Sequence, residues 1–201
     1  RLDLAKAEGH FQTSKRLEAL EKGVTLVDPN TVFFSFDTDL GIDTVVEPHV
    51  IFGPGVSLKD NVKIRSFSYL EGCIVKSKVT IGPFARIRPE TILDEGVKVG
   101  NFVEIKKSKL YKNAKASHLS YIGDASIGED TNVGAGTIFC NYDGVSKHRI
   151  EVGKNSFIGS NASLVAPLKI GDRAVIAAGS TITDEVKKDS LSLGRARQIN
   201  K

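Results

Sequence analysis

The sequence contains no methionine and no tryptophan, only two cysteines, and aromatic residues at 7% of its 201 positions. Each scarcity excludes something. With no methionine, Arg1 is not a translational start, so the chain is expected to be a piece of a longer protein. Cys73 and Cys140 make neither a disulfide framework nor a paired metal motif, which agrees with a reducing cytosol and with ordinary buried thiols. No apolar run approaches the roughly 18 residues that cross a bilayer, and no charged-then-apolar start suggests a signal peptide. A soluble, cytoplasmic protein with no membrane partner is expected. Charge of one sign does not dominate either, since 28 basic residues are interspersed with 24 acidic ones for a net +4. Without a basic arm, phosphorylated small molecules fit better than nucleic acid.

What is abundant is aliphatic and small. Ile and Val together fill 36 positions and Gly fills 19, a mix that favours strands and turns. The aliphatic residues recur every six positions at Val152, Ile158, Leu164, Ile170, Ile176 and Ile182. The same step runs through Ile81, Ile87, Leu93, Val99 and Ile105, and further back from Phe34 through Leu40, Val46, Phe52, Leu58 and Ile64 to Leu70. Neither the helical period nor sustained alternation gives a step of six. It predicts a parallel β-helix of hexapeptide repeats, each short strand sending one aliphatic side chain inward.

Steps of five at Leu70 to Val75, Ile105 to Leu110 and Ile122 to Ile127 each delete one corner residue. One step, Phe139 to Val152, is thirteen residues long and polar, and predicts an excursion loop over about 140–151. Residues 1–22, rich in Leu, Ala, Glu and Lys, predict a helix leading in from a preceding domain. The β-helix is then expected over 23–190 and a charged C-terminal tail over 191–201.

With three strands to a coil, residues one coil apart stack about 4.8 Å from each other. Following the phases puts His118, Ala135, Ser160 and Ala178 in one vertical row of about 14 Å, three such steps. Small side chains above a histidine leave room for an extended ligand of pantetheine length. On the neighbouring face Arg88 stacks under Lys106, with Arg86, Glu104 and Tyr121 in the adjoining row. Two stacked cations repel unless an anion lies between them, and a phosphate suits that position; a solvated basic face is the alternative. His118 is expected to take a proton at one ring nitrogen while Glu104 holds the other. His10, His49 and His148 read as structural or merely exposed.

Hexapeptide repeats alone indicate acyl transfer only loosely. The segment from Gly100 to Gly144 is more specific: Gly100-Asn101-Phe102-Val103-Glu104-Ile105-Lys106-Lys107, Ser117-His118-Leu119-Ser120-Tyr121-Ile122-Gly123-Asp124, Asn132-Val133-Gly134-Ala135-Gly136-Thr137 and Cys140-Asn141-Tyr142-Asp143-Gly144. Together these resemble the C-terminal acetyltransferase domain of the bacterial bifunctional enzymes that combine glucosamine-1-phosphate N-acetyltransferase with N-acetylglucosamine-1-phosphate uridylyltransferase. Phe139 before Cys-Asn-Tyr and His148-Arg149 after Lys147 depart from the usual family pattern.

The resemblance implies an all-β, left-handed parallel β-helix that forms a homotrimer with active sites at subunit interfaces, serving synthesis of UDP-N-acetylglucosamine. It also implies roles. His118 matches the catalytic base, while Arg88, Lys106, Tyr121, Asn132 and Lys147 match sugar-phosphate ligands. Ala135, Asn141, Tyr142, Ser160, Ala178 and Arg195 match contacts to the cosubstrate acetyl-CoA. No metal is needed for acetyl transfer, and Mg is expected only in the uridylyltransferase domain, which this chain lacks.

Three rivals remain. Another hexapeptide acyltransferase acting on a different amine would share the fold. A zinc carbonic anhydrase on this fold needs three histidines, and only His118 is well placed. A β-helix serving only to trimerise would not depend on His118 at all.

Overall fold

The structure, a computed structural model, describes residues 1–200. Strands of two to four residues are joined by corners of one to four residues everywhere except at 27–38, 141–149 and 183–190, so each strand pairs only with the strands one coil below and above it. All named strand pairs are parallel and collect into three sheets of ten, eight and eight strands, which we call sheets 1, 2 and 3 in the order the chain first completes a coil. The repeat step is therefore one side of a triangular coil. Hydrogen bonds run along the axis, and the core is the column inside the triangle.

That core contains the expected aliphatic residues: Ile64, Leu70, Ile81, Ile87, Leu93, Ile105, Ile122, Ile158, Leu164 and Ile176 have no exposure. A second inward column, absent from the sequence reading, lies two positions earlier on each side. It holds Val50, Val56, Val62, Ala85, Val97, Ala114 and Ala162, alternating with hydroxyl residues such as Ser108, Thr131 and Ser156. The hydroxyls are tolerated because they bond the backbone of adjacent turns, as Thr131 Oγ1 does to the Gly153 carbonyl at 2.7 Å and Ser156 Oγ to the Gly171 carbonyl at 3.0 Å.

Both ends are closed. The N-terminal helix spans Leu2–Glu21 and lies against the first coil rather than only leading into it. The buried Gln12 amide donates to the Phe34 carbonyl at 2.7 Å and accepts from the Phe34 amide at 2.9 Å, standing in for a missing strand. Arg16 donates to the Val32 carbonyl at 3.1 Å. At the other end Leu191–Ser192, inside the stretch assigned to a tail, pairs in register with Val175–Ile176. Lys201 lies outside the described residues. The long insertion is narrower than its sequence limits, because Cys140 ends one strand and Ile150 begins the next.

Candidate functional site

The corner between sheets 1 and 2 builds the site. In each full corner the first two residues leave the sheet 1 strand, the third takes a left-handed backbone, and the fourth turns inward. Register pairs Asn101 with His118, and the strand pairs Ala116–Val133, Val133–Ile158 and Ile158–Ile176 carry the same phase upward. His118, Ala135, Ser160 and Ala178 thus occupy the second corner position of successive coils. Backbone bonds from Asn161 N to Ala135 O and from Gly179 N to Ser160 O, each 2.8 Å, tie the upper rungs. Arg195 reaches the top of this row, its Cδ 3.9 Å from where a Gly179 side chain would begin.

Glu104 does not hold His118. The His118 ring Nδ1 lies 2.6 Å from Asn101 Oδ1, the residue directly one coil below. An amide oxygen only accepts, so in the neutral ring Nδ1 carries the hydrogen and Nε2 is the nitrogen with the lone pair. Glu104 pairs in register with Tyr121, past the corner on sheet 2, and its carboxylate takes Arg88 at 2.7 Å and Arg86 at 4.0 Å. The expected partner was one corner away. Asn101 was legible as the residue seventeen positions before His118, the coil spacing of that region.

Arg88, Lys106 and Lys147 cluster. Arg88 and Lys106 stack where sheet 2 ends, and the excursion brings Lys147 over them. The Lys147 ammonium against that of Lys106, with the Arg88 guanidinium nearby, pushes the Lys106 pKa below its ordinary value. Glu104 compensates Arg88, and the remaining charge of Lys106 and Lys147 favours a doubly charged anion such as a phosphate monoester. Tyr121 is half-buried at the start of its sheet 2 strand, one coil above Glu104, and its hydroxyl accepts from Asn141 Nδ2 at 3.5 Å.

Asn132 is not brought to that face. It points out from sheet 1, in register with Lys115 below and Phe157 above. The remaining expected residues, Asn141 and Tyr142, belong to the excursion, which folds as a hairpin. His148 N donates to Asn141 O at 2.8 Å, Tyr142 bridges Lys147 antiparallel, and Asp143 caps the turn by accepting from the amides of Val145 and Ser146. Those two amides, with the His148 ring 2.7 Å away, hold the Asp143 carboxyl down to about 2. Asn141 is buried in the hairpin root and Tyr142 is exposed at its side.

An extended thin ligand fits the row above His118. Ala135, Ser160 and Ala178 keep free N–H groups among the described residues and no long side chain. Gly134 and Gly159 behind them allow the coils to close, since a Cβ at either would meet backbone nitrogen of the next coil at 2.6 or 2.4 Å. Cys140 has no base beside it in this geometry: burial raises its pKa, and its sulfur's one hydrogen-bond partner among the described residues is the Ile138 carbonyl at 3.9 Å. Among the described residues, no three His, Cys, Asp or Glu side chains gather as metal ligands, and no helix is long and apolar enough to cross a membrane.

Residues 149–184 match the family of the bacterial transferase hexapeptide (six repeats). All 201 residues align at 53% identity with 45% of a protein named Bifunctional protein GlmU from Zymomonas mobilis subsp. mobilis. A protein of the same name from Azorhizobium caulinodans is 56% identical over the same 201 residues, again 45% of its length. The chain therefore spans about half the length of the curated relatives it matches. Among solved structures, PerB from Caulobacter crescentus, in complex with CoA and GDP-perosamine, superimposes with a TM-score of 0.52 at 22% identity, covering 58% of this chain and 54% of that one. LpxA from Bacteroides fragilis, a UDP-N-acetylglucosamine acyltransferase, gives 0.51 at 16% identity over 78% of this chain and 67% of that one. The shared fold is the left-handed parallel β-helix.

Proposed function

We propose that this chain, which belongs with the bifunctional GlmU proteins along its whole length, transfers the acetyl group of acetyl-CoA to the amine of glucosamine-1-phosphate, giving N-acetylglucosamine-1-phosphate. One observation carries the reading. A histidine with a free Nε2 stands at the junction of a three-cation cluster and a row of small residues, the two surfaces that a sugar phosphate and a thioester arm require.

Each residue then has a task. Arg88, Lys106 and Lys147 hold the phosphate, and Tyr121 lies against the sugar between them and His118. A protonated amine has no lone pair, so the sugar reacts as the free amine, its first proton lost to solvent, and His118 Nε2 takes a second proton as nitrogen bonds to the acetyl carbon. The C–S bond breaks, and that proton can return to the departing thiolate. Asn101 keeps the ring in the tautomer this needs. The free N–H of Ala135, one coil above His118, is suited to stabilising the carbonyl oxygen as charge develops on it. Ser160, Ala178 and Arg195 continue the track for the rest of the cosubstrate.

Asn132 faces away from Tyr121 because a corner separates their strands, so one small sugar cannot touch both within one chain. A second copy, presenting its sheet 1 to sheet 2 of the first, resolves this. We therefore read the functional unit as a homotrimer whose sites lie between subunits, with uridylyl transfer left to the rest of a cytoplasmic parent protein.

The test is release of CoA thiol from acetyl-CoA. Release that saturates with glucosamine-1-phosphate is expected, and Arg88→Ala should raise the KM for that sugar about 10- to 100-fold, the scale of a lost charge-assisted bond. Equal turnover of unphosphorylated glucosamine would remove the phosphate clamp, and no release with either sugar would remove the activity.

A further inference from the structure

The hairpin that delivers Lys147 is anchored by a side chain with no role so far. Asp124 forms the single-residue corner between Gly123 and Ala125, with a left-handed backbone at φ 49°. Its backbone spans the insertion, because Asp124 N donates to Lys106 O below and Ile150 N donates to Asp124 O from above, each at 3.1 Å. Its carboxylate is buried, unlike the stacked Lys107 beneath it, which is exposed and reaches it at 3.8 Å. One carboxylate oxygen accepts from Asn141 Nδ2, the first residue of the hairpin. Gly123 clears the path: a Cβ there would sit 2.7 Å from that same Nδ2 and 2.5 Å from the Tyr121 hydroxyl.

We propose that Asp124 and Asn141, seated over Gly123, form a latch that holds the 141–148 hairpin down and so positions Lys147 for the phosphate. The need is electrostatic. Lys147 is brought against Lys106, with Arg88, itself paired to Glu104, nearby, so without a bound anion the two ammonium groups repel and push the hairpin away. Asp124 is the carboxylate beneath the root, attracting Lys106 while fixing Asn141. From there the register does the rest, as Asn141 pairs with His148 and Tyr142 with Lys147. Asp124 is thus a positioning residue for sugar-phosphate binding. This rests on the activity proposed above.

Steady-state kinetics on the whole chain separate this role from general support of the fold. Asp124→Ala should raise the KM for glucosamine-1-phosphate about 10-fold while kcat stays within about threefold. Asn141→Asp, which sets a second carboxylate against that of Asp124, should raise it at least as much. Asp124→Asn combined with Asn141→Asp rebuilds the bond in reverse and should bring that KM back to within about threefold of the parent. Amide exchange at His148, bonded to Asn141 O, should quicken in each single variant and slow again in the double one, and this holds with no substrate present. A sugar-phosphate KM unchanged in Asp124→Ala, or no recovery in the double variant, overturns the latch. If the parent chain releases no CoA, the proposed activity fails, and hairpin exchange alone judges the latch: exchange unaltered in the single variants rejects it.

Discussion

Along the corner between sheets 1 and 2, the lower and upper coils share one backbone and carry opposite side chains. Below His118 the left-handed position is filled by His49, Phe67, Phe84 and Phe102, φ 54–61°, stacked at 4.9, 4.9 and 5.1 Å between ring centroids. The position before it is Pro48 and Pro83 in two of these coils, which have no N–H to offer. Above His118 the left-handed position passes from Leu119 to Gly136, Asn161 and Gly179, and the preceding position to Ala135, Ser160 and Ala178 with free N–H groups. The lower half is thus sealed by its own side chains while the upper half is left open. His118 sits at the change. A solenoid can therefore set the length of its ligand track by where one column of side chains switches from bulky to small, at no cost to its hydrogen-bond ladder.

The comparison breaks most sharply at its boundary. His118→Ala should lower kcat at least about 100-fold with little change in either KM, as loss of a general base does. If CoA release persists at the parent rate, the switch marks no reactive centre.

Next in size is closing the open half. Ser160→Phe extends the lower pattern upward and should raise the KM for acetyl-CoA at least about 10-fold, with the KM for glucosamine-1-phosphate within about twofold. Equal effects on both would mean that the row is not a separate track. Glycine substitutions are the wrong probe there, because Cβ atoms at 134 or 159 strike the next coil and damage the fold itself.

Asn101 belongs to the lower half and reaches across the boundary. Asn101→Ala should reduce kcat about 10-fold, less than loss of His118, because the ring remains but its tautomer and orientation are no longer fixed. Asn101→Asp should keep most of the activity, since a carboxylate also accepts from Nδ1. If Asn101→Ala is neutral in kcat, the 2.6 Å contact does not govern the base.

How legible was all this beforehand? The six-residue aliphatic step named the fold, because large inward side chains cannot be moved off it without leaving holes. Its companion column was invisible because Ser, Thr, Ala and Val are common everywhere. The row from His118 to Ala178 followed from coil spacing alone. The partner of His118 did not, because a carboxylate is the usual orienter of a catalytic histidine and Glu104 lies nearby in sequence; register at the corner decided for the amide. Asn132 fell on another sheet, since a matching motif carries no direction. Gln12 and Asp124 act on backbone and loop across distances of 22 and 17 residues, and no local pattern announces that.

The smallest effect tests why the lower half tolerates aromatic rings in a left-handed backbone. A side chain there costs roughly 1 kcal/mol relative to glycine, and each stacked pair returns about 0.5–1.5 kcal/mol. Phe84 has two such partners, Phe67 and Phe102, so the stack offsets the strain. Phe84→Ala keeps the strain and loses both contacts, which predicts a loss of about 1–2 kcal/mol in denaturant unfolding. Phe84→Gly loses the same contacts but relieves the backbone, so it should be less destabilising than the alanine variant by about 1 kcal/mol. That order reverses the usual one, in which glycine inside a strand is the worse choice. Both variants should keep kcat/KM for each substrate within about twofold, because the ladder ends below the site. An alanine variant more stable than the glycine variant would show that the rings, and not the left-handed backbone beneath them, set the energetics of the sealed half.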